Sequence, residues 1–363
     1  MAGKVINYFA DGNTAKGYIS FHRSNIEGMK KVFILKGLLG MEKSRIMKKI
    51  GTECLTKGYN IELMHSSRDS DSVNGIVVPE LEFAVVDGSP LENAKSDERK
   101  DNEIYFNLDL ALNSERLGRL NHEINAITAN KQEMYRSAYK TFSEALLIHD
   151  EWEKIYIDNM NFTKAAEITE ELAEIFFGDR KLNKKPQVKD RFLGAATPKG
   201  SVDFINNLTE DINKRYFIKG RPGSGKSTML RKLAQNAQDR GFDVEVYHCG
   251  FDPDSLDMII IRELGIAVFD STAPHEYFPE RDTDEIVDMY KEAIKSDTDE
   301  KYASELQEIA QRYKNKIKEA TFCLAEAKRL NDKLEEYYIQ AMDFEKAENI
   351  ENEINSAVIG IVC

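Results

Sequence analysis

Cysteine is scarce. Cys54, Cys249, Cys323 and Cys363 are far apart in 363 residues and form no C-x-x-C pair. That spacing argues against a disulfide framework and a zinc site, and it fits a reducing cytosol. No apolar run is long enough to span a membrane, and Met1-Ala2-Gly3-Lys4 opens no signal peptide. A cytoplasmic protein with no membrane partner is the expectation. Positive charge is short too: the formal net charge is -13. General nucleic-acid binding relies on a basic footprint, so nucleic acid is a poor candidate partner. Two long stretches also lack helix breakers. Between Pro90 and Gly178 there is one glycine, Gly118, and no proline; between Pro279 and Gly360 there is neither.

Against these absences stands one motif. Gly220-Arg221-Pro222-Gly223-Ser224-Gly225-Lys226-Ser227-Thr228 matches the phosphate-loop pattern G-x-x-x-x-G-K-[ST]. A strand candidate, Tyr216-Phe217-Ile218, leads in, and a helix-forming run, Met229 to Arg240, leads out. In such a loop the glycines let backbone N–H groups wrap anionic phosphates, and the helix N-terminus adds its positive dipole end. Gly220, Pro222, Gly223, Ser224, Gly225, Lys226, Ser227 and Thr228 are therefore the expected nucleotide contacts. Lys226 is expected to reach the β- and γ-phosphates, Ser227 to hold Mg²⁺, and Thr228 to lie near the α-phosphate.

The motif has a damaged counterpart 183 residues earlier, at Leu35 to Ser44. The same offset runs without a gap from about Phe9 to Asp87. It sets Thr14, Lys16 and Gly17 on Thr197, Lys199 and Gly200, and Glu62, His65 and Asp87 on Glu245, His248 and Asp270. Near the ends the offset shifts by one, and Tyr156, Met160 and Phe162 fall on Tyr338, Met342 and Phe344. The chain reads as two copies of one unit, 1–181 and 182–363. A basic segment, Arg180 to Pro186, joins them.

Each copy alternates strands and helices. The strands are expected near Asn7–Ala10, Val32–Leu35, Ile61–Met64 and Phe83–Val86, with partners near Arg191–Gly194, Tyr216–Ile218, Val244–Tyr247 and Ile266–Phe269. Short helices are expected from Asp71 and Asp254. This is an α/β reading: a tandem P-loop NTPase parallel-sheet core. Apolar residues at threes and fours from Tyr302 to Tyr338 then predict long helices, with Glu and Lys on the other faces. The arms, about 91–177 and 280–358, read as helical hairpins projecting from the core and able to take a protein partner or to self-associate.

Asp270 ends the apolar run Ile266-Ala267-Val268-Phe269 as a Walker B aspartate would, which makes it a candidate for catalysis and for the Mg²⁺ shell. No glutamate follows it, only Ser271. A carboxylate from elsewhere must then orient water or an acceptor hydroxyl, and Asp252 is the candidate. Asp254 reads instead as a helix cap. His248 is a candidate base or phosphate contact, and Arg221, Arg262 and Arg281 are candidate charge-stabilising arginines. Cys249 reads as a small buried residue. In the first copy Glu42 stands where Gly225 stands in the second. A side chain there hinders the tight turn and its charge repels phosphates, so weak or no nucleotide binding is expected. Pairing of Glu42 with Lys43 is the alternative.

The tandem loops, with Phe192 to Gly200 and Phe269-Asp270-Ser271-Thr272-Ala273-Pro274-His275, resemble an uncharacterised bacterial family of tandem P-loop ATPases or ATP-binding proteins. The resemblance implies a P-loop NTPase fold in each half, and the chain departs from the family pattern at Glu42. The leading functional expectation is an Mg²⁺-dependent ATPase working at the second loop, with the first half scaffolding or regulatory. Adenine is the default base, since no N/T-K-x-D motif follows Asp270. The alternatives are a small-molecule or nucleotide kinase, against which stands the lack of an arginine-rich lid, and a non-catalytic ATP-binding switch or interaction protein.

Overall fold

The computed structural model describes residues 2–92 and 100–362. Residues 93–99, where the first arm is expected to begin, and Cys363 lie outside the described residues. The first half runs β1 (Val5–Phe9), β2 (Asp11–Thr14), β3 (Gly17–Ser20), α1 (His22–Ile26), β4 (Lys31–Lys36), α2 (Gly40–Thr56), β5 (Ile61–Ser66), β6 (Asp69–Val78), β7 (Phe83–Asp87), α3 (Ser89–Glu92), β8 (Glu103–Asn107), α4 (Ser114–Arg119), α5 (Asn121–Ile157) and α6 (Phe162–Phe177). The second half runs β9 (Val188–Phe192), β10 (Gly194–Thr197), β11 (Gly200–Asp203), α7 (Ile205–Leu208), β12 (Lys214–Lys219), α8 (Lys226–Asp239), β13 (Val244–His248), β14 (Leu256–Ile261), β15 (Ile266–Asp270), β16 (Glu285–Asp288), α9 (Met289–Ala293), α10 (Thr298–Lys301), α11 (Ala303–Gln340) and α12 (Phe344–Val362).

The fold is α/β around one mixed sheet of 12 strands, in the order β16-β12-β15-β14-β13-β9-β1-β5-β6-β7-β4-β8. The order within one half is the mirror of the order within the other. The halves meet at an antiparallel pairing of β1 with β9, where Phe9 faces Phe192, its counterpart 183 residues on. Beside that seam the Arg191 side chain is fully buried. Its Nη2 reaches Glu62 at 2.6 Å, its Nη1 lies 3.4 Å from Glu245, and its guanidinium lies 3.8 Å from the Tyr8 ring centroid. One cation thus joins two carboxylates that occupy matching positions in the two halves, which compensates three charges taken out of water.

Two expectations are corrected. The segments after Asp71 and Asp254 are not helices. Val73 and the run Ile76–Val78, like Met258–Ile261, are apolar and buried, and they form β6 and β14, which pair antiparallel on both sides. Consecutive branched side chains buried on both faces suit a central strand, so the sheet is mixed rather than parallel. The arm regions are also not wholly helical. Val32 to Lys36 takes β8 as a parallel neighbour, and Tyr216 to Lys219 takes β16.

The long helices do not project. They cross. α5 and α11, of 37 and 38 residues, pack along each other, with Ala138 and Phe142 against Ala320 and Leu324. α6 then covers the core of the second half: Leu172, Phe176 and Phe177 join Tyr216, Met229 and Leu230 in one cluster. α12, with Leu334, Tyr338 and Met342 at the end of α11, covers the core of the first. The apolar faces of α6 and α12 are therefore each buried on the other half, and the clusters run across the 181/182 boundary. No helix among the described residues is long and apolar enough to cross a membrane.

Candidate functional site

β12 ends at Lys219 and α8 begins at Lys226, so the segment between them has to turn the chain through a short loop. Two residues there take a left-handed backbone, Gly223 at φ +74° and Gly225 at φ +84°, a region in which an L side chain is strained. Ser224 Oγ donates to the Arg221 carbonyl at 2.7 Å and accepts from its N–H at 3.2 Å, which closes the loop on itself. Gly220 is buried beneath it, Pro222 is half-buried, and Thr228 is exposed on the first turn of α8. Lys226 is buried, with Nζ 2.9 Å from the Arg221 carbonyl and 3.5 Å from Asp270. Ser227 Oγ accepts the Leu256 N–H at 3.0 Å. Asp270, at the end of the neighbouring strand, accepts from the Thr272 N–H and hydroxyl. Lys226 and Asp270 are thus brought together, with Ser227 next along α8.

The other sequence candidates divide. Asp252 holds the turn after β13, where its carboxylate accepts from Ser255 Oγ at 2.8 Å, and it stays close enough to act electrostatically on His149 and Glu153. Asp254 caps no helix; it pairs with Lys16 of the first half. His248 does not join the site. It is held between Asp190, 2.9 Å away, and the Pro253 carbonyl, 2.7 Å away, and stacks on Phe21 across the seam. A strand-end histidine whose two nitrogens both have partners is a structural tie. Arg262 is bound to Glu245, and Arg281 to the carbonyls of Thr209 and Ile212. Arg221 is clamped by Asp299, which also takes the Tyr156 hydroxyl. Cys249 is partly buried, and burial pushes its thiol well up.

Sequence reasoning missed the side chains that arrive from the other half. The α5–α6 junction sits on the second loop: a Cβ on Gly223 would meet the Glu153 carbonyl at 2.6 Å, and one on Gly225 would meet the Met160 methyl at 2.6 Å. The Gly223 N–H stabilises the Glu153 carboxylate, as does Lys226, yet burial, Asp150 and Asp252 together raise its pKa. His149, Asp150 and Glu153 bring one ligand atom each within 4.8 Å of one another, a set able to hold a cation. Asp257, on β14, was missed as well. Burial, and then the Asp270 carboxylate, pushes it up to about 6. The signal for Glu153 lay in the shifted register, since the offset that sets Tyr156 on Tyr338 also sets Glu153 on Glu335.

Glu335 explains the first loop. Glu42 cannot take the left-handed turn of Gly225 without strain, and Gly40 shows no positive φ. α2 accordingly begins at Gly40, three residues earlier in register than α8, and the loop is wound into an extra helical turn closed by Lys43 N–H to the Leu39 carbonyl at 3.1 Å. The Glu335 carboxylate accepts the Gly40 N–H at 2.9 Å and supplies negative charge at that helix N-terminus. Glu42 does not pair with Lys43. It pairs with Arg45 at 2.6 Å, while Lys43 turns inward to Asp87 at 2.8 Å. No protein-family model, curated protein or solved structure matches this chain.

Proposed function

We propose that the chain is a tandem pair of P-loop NTPase cores of the tandem ATPase kind it resembles, and that the second half binds ATP with Mg²⁺ and hydrolyses it. The observation that carries this reading is the loop from Gly220 to Thr228, with two left-handed glycines and Lys226 beside Asp270. Such a loop turns its N–H groups toward an anion, and the Glu153 carboxylate lies close enough for the Gly223 N–H to favour its charged form. The residues present therefore fit phosphates. Bound Mg²⁺ would supply charge neutralisation, and Ser227 and Asp270 would hold it.

Glu153 fits the missing base better than Asp252. It contacts the loop and has a raised pKa, which suits a group that must take a proton near neutral pH. Asp252 is committed to its turn. The wound first loop, with Glu335 on its amide, supports a scaffolding or regulatory first half that binds nucleotide weakly or not at all. A second reading, a nucleotide-operated switch without turnover, draws on the same Glu153 contact. Phosphates entering the loop would have to displace Glu153, and with it the end of α5.

The test is MgATP binding and phosphate release by the wild type, Lys226→Ala, Lys43→Ala and Glu153→Gln. Release should vanish in Lys226→Ala and persist in folded Lys43→Ala. In Glu153→Gln it should fall by about 100-fold or more with binding retained. Binding without release in the wild type selects the switch, and absence of binding sinks both readings.

A further inference from the structure

At the first half's end of the sheet lies a cavity of about 580 Å³. The turn between β5 and β6, the N-terminus of α2 and the facing stretches of α5 and α11 enclose it. Its carboxylates are all engaged. Asp87 takes Lys43, Asp69 takes Ser72 and Lys328, Asp332 takes Lys328, and Glu335 takes the Gly40 N–H. Of its cations, Arg136 takes Glu133, and Arg68 and Lys131 are placed differently. Among the described residues, neither Arg68 nor Lys131 has a carboxylate in ion-pair contact. Arg68 lies over the rings of Tyr18 and Tyr135, at 4.1 and 4.7 Å, and its buried Nε has no hydrogen-bond partner among the described residues. Lys131 Nζ donates only to a neutral amide oxygen, that of Asn331, at 3.0 Å. Burial and the nearby Arg68 charge hold its pKa down. Two neighbouring cations in a partly dry cavity, neither of them ion-paired among the described residues, are costly unless an anion joins them.

The corresponding place in the second half is built differently. Phe251 stands 183 residues on from Arg68, and Tyr313 stands 182 on from Lys131. These two rings pack edge to face, with centroids 5.5 Å apart. The first half has a guanidinium and an ammonium where the second has an aromatic contact.

We infer that this cavity binds a small phosphomonoester whose dianion sits between Arg68 and Lys131. A dianion matches two cations, and the planar guanidinium fork suits a phosphoryl group. The volume lies in the range of small-molecule sites and leaves room beside Tyr135 for an organic group. The site does not depend on nucleotide at the second loop, and neither cation belongs to the wound first loop.

Calorimetric titration with inorganic phosphate, ribose 5-phosphate and AMP tests it on the full chain. The wild type and Lys226→Ala should bind at least one of the two phosphomonoesters alike, one per chain. Lys131→Gln should weaken that binding at least about tenfold and Lys131→Arg should restore it, with the circular dichroism spectrum unchanged. Arg68→Gln should act in the same direction where it folds; Lys131 decides where it does not. Ribose 5-phosphate and AMP differ in the base, so their comparison shows whether the organic group is a sugar or a nucleoside. The inference falls if neither phosphomonoester binds the wild type at millimolar concentration. It also falls if binding survives Lys131→Gln or disappears in Lys226→Ala.

Discussion

Gly225→Ala isolates the one backbone requirement that separates the two loops. Gly225 holds φ at +84°. A left-handed turn costs an L residue about 1–2 kcal/mol relative to glycine. The new Cβ would also meet the Met160 methyl, the end of a flexible side chain that can move aside. The first half shows where the strain goes: with Glu42 at that position the chain takes helical geometry, and α2 starts at Gly40. Gly225→Ala should therefore let the free loop relax into an extra turn of α8. Binding must then restore the open loop against that 1–2 kcal/mol, which corresponds to a roughly 5- to 30-fold weaker affinity for MgATP. Alanine adds no charge, so repulsion of phosphates plays no part. Calorimetric titration of both proteins reads the affinity, and a melting curve without nucleotide should show little loss of stability. An unchanged affinity, in a background where Lys226→Ala abolishes binding, would refute the claim that the left-handed glycine is what keeps the second loop open.

Three further substitutions test the frame and the acids. Arg191→Met removes the buried cation shared by Glu62 and Glu245 and leaves them only Lys189 and Arg262 at the rim, so it should cost about 3 kcal/mol in denaturant unfolding. Asp257→Asn should stabilise the protein at neutral pH, on the order of 2 kcal/mol. A carboxyl raised to about 6 contributes stability at low pH that is lost as pH climbs from about 4 through 6, and in the variant that slope should disappear from the pH dependence of the melting temperature. Phosphate release should rise with pH on a limb set by Glu153, above the ordinary glutamate value of 4.5 because burial raises it. That limb should be missing in Glu153→Gln.

What could be read from the sequence was local. The loop from Gly220 to Thr228 is contiguous, and two of its glycines have a backbone reason that spacing alone exposes. The 183-residue offset is equally local, since it asks only that like residues recur, and it found the matched positions that meet at Phe9 and Phe192. β6 and β14 were hidden because Asp71 and Asp254 look like helix caps, while the strand signal lies in the branched runs behind them. The crossing of the helices was hidden for a different reason. An apolar stripe says that a face is buried but not against what, and two halves with mirrored strand orders offer each stripe two cores. Glu153 could not be assigned from its neighbours in sequence, because its partner is Gly223, on the other half.

That crossing gives the two halves a physical connection that a simple tandem chain would lack. Glu153 and Glu335 occupy matched places near the ends of α5 and α11, and each meets a backbone amide at the other half's loop. Between those contacts the helices pack on each other through Ala138, Phe142, Ala320 and Leu324, small and large residues that leave little room for independent sliding. A displacement of Glu153 from Gly223 has to be taken up by the junction that carries Met160 or passed along α5 to α11. The far end of that path is Glu335, which lines the cavity with Arg68 and Lys131. The crossed helices let the altered half meet the intact one through packed elements.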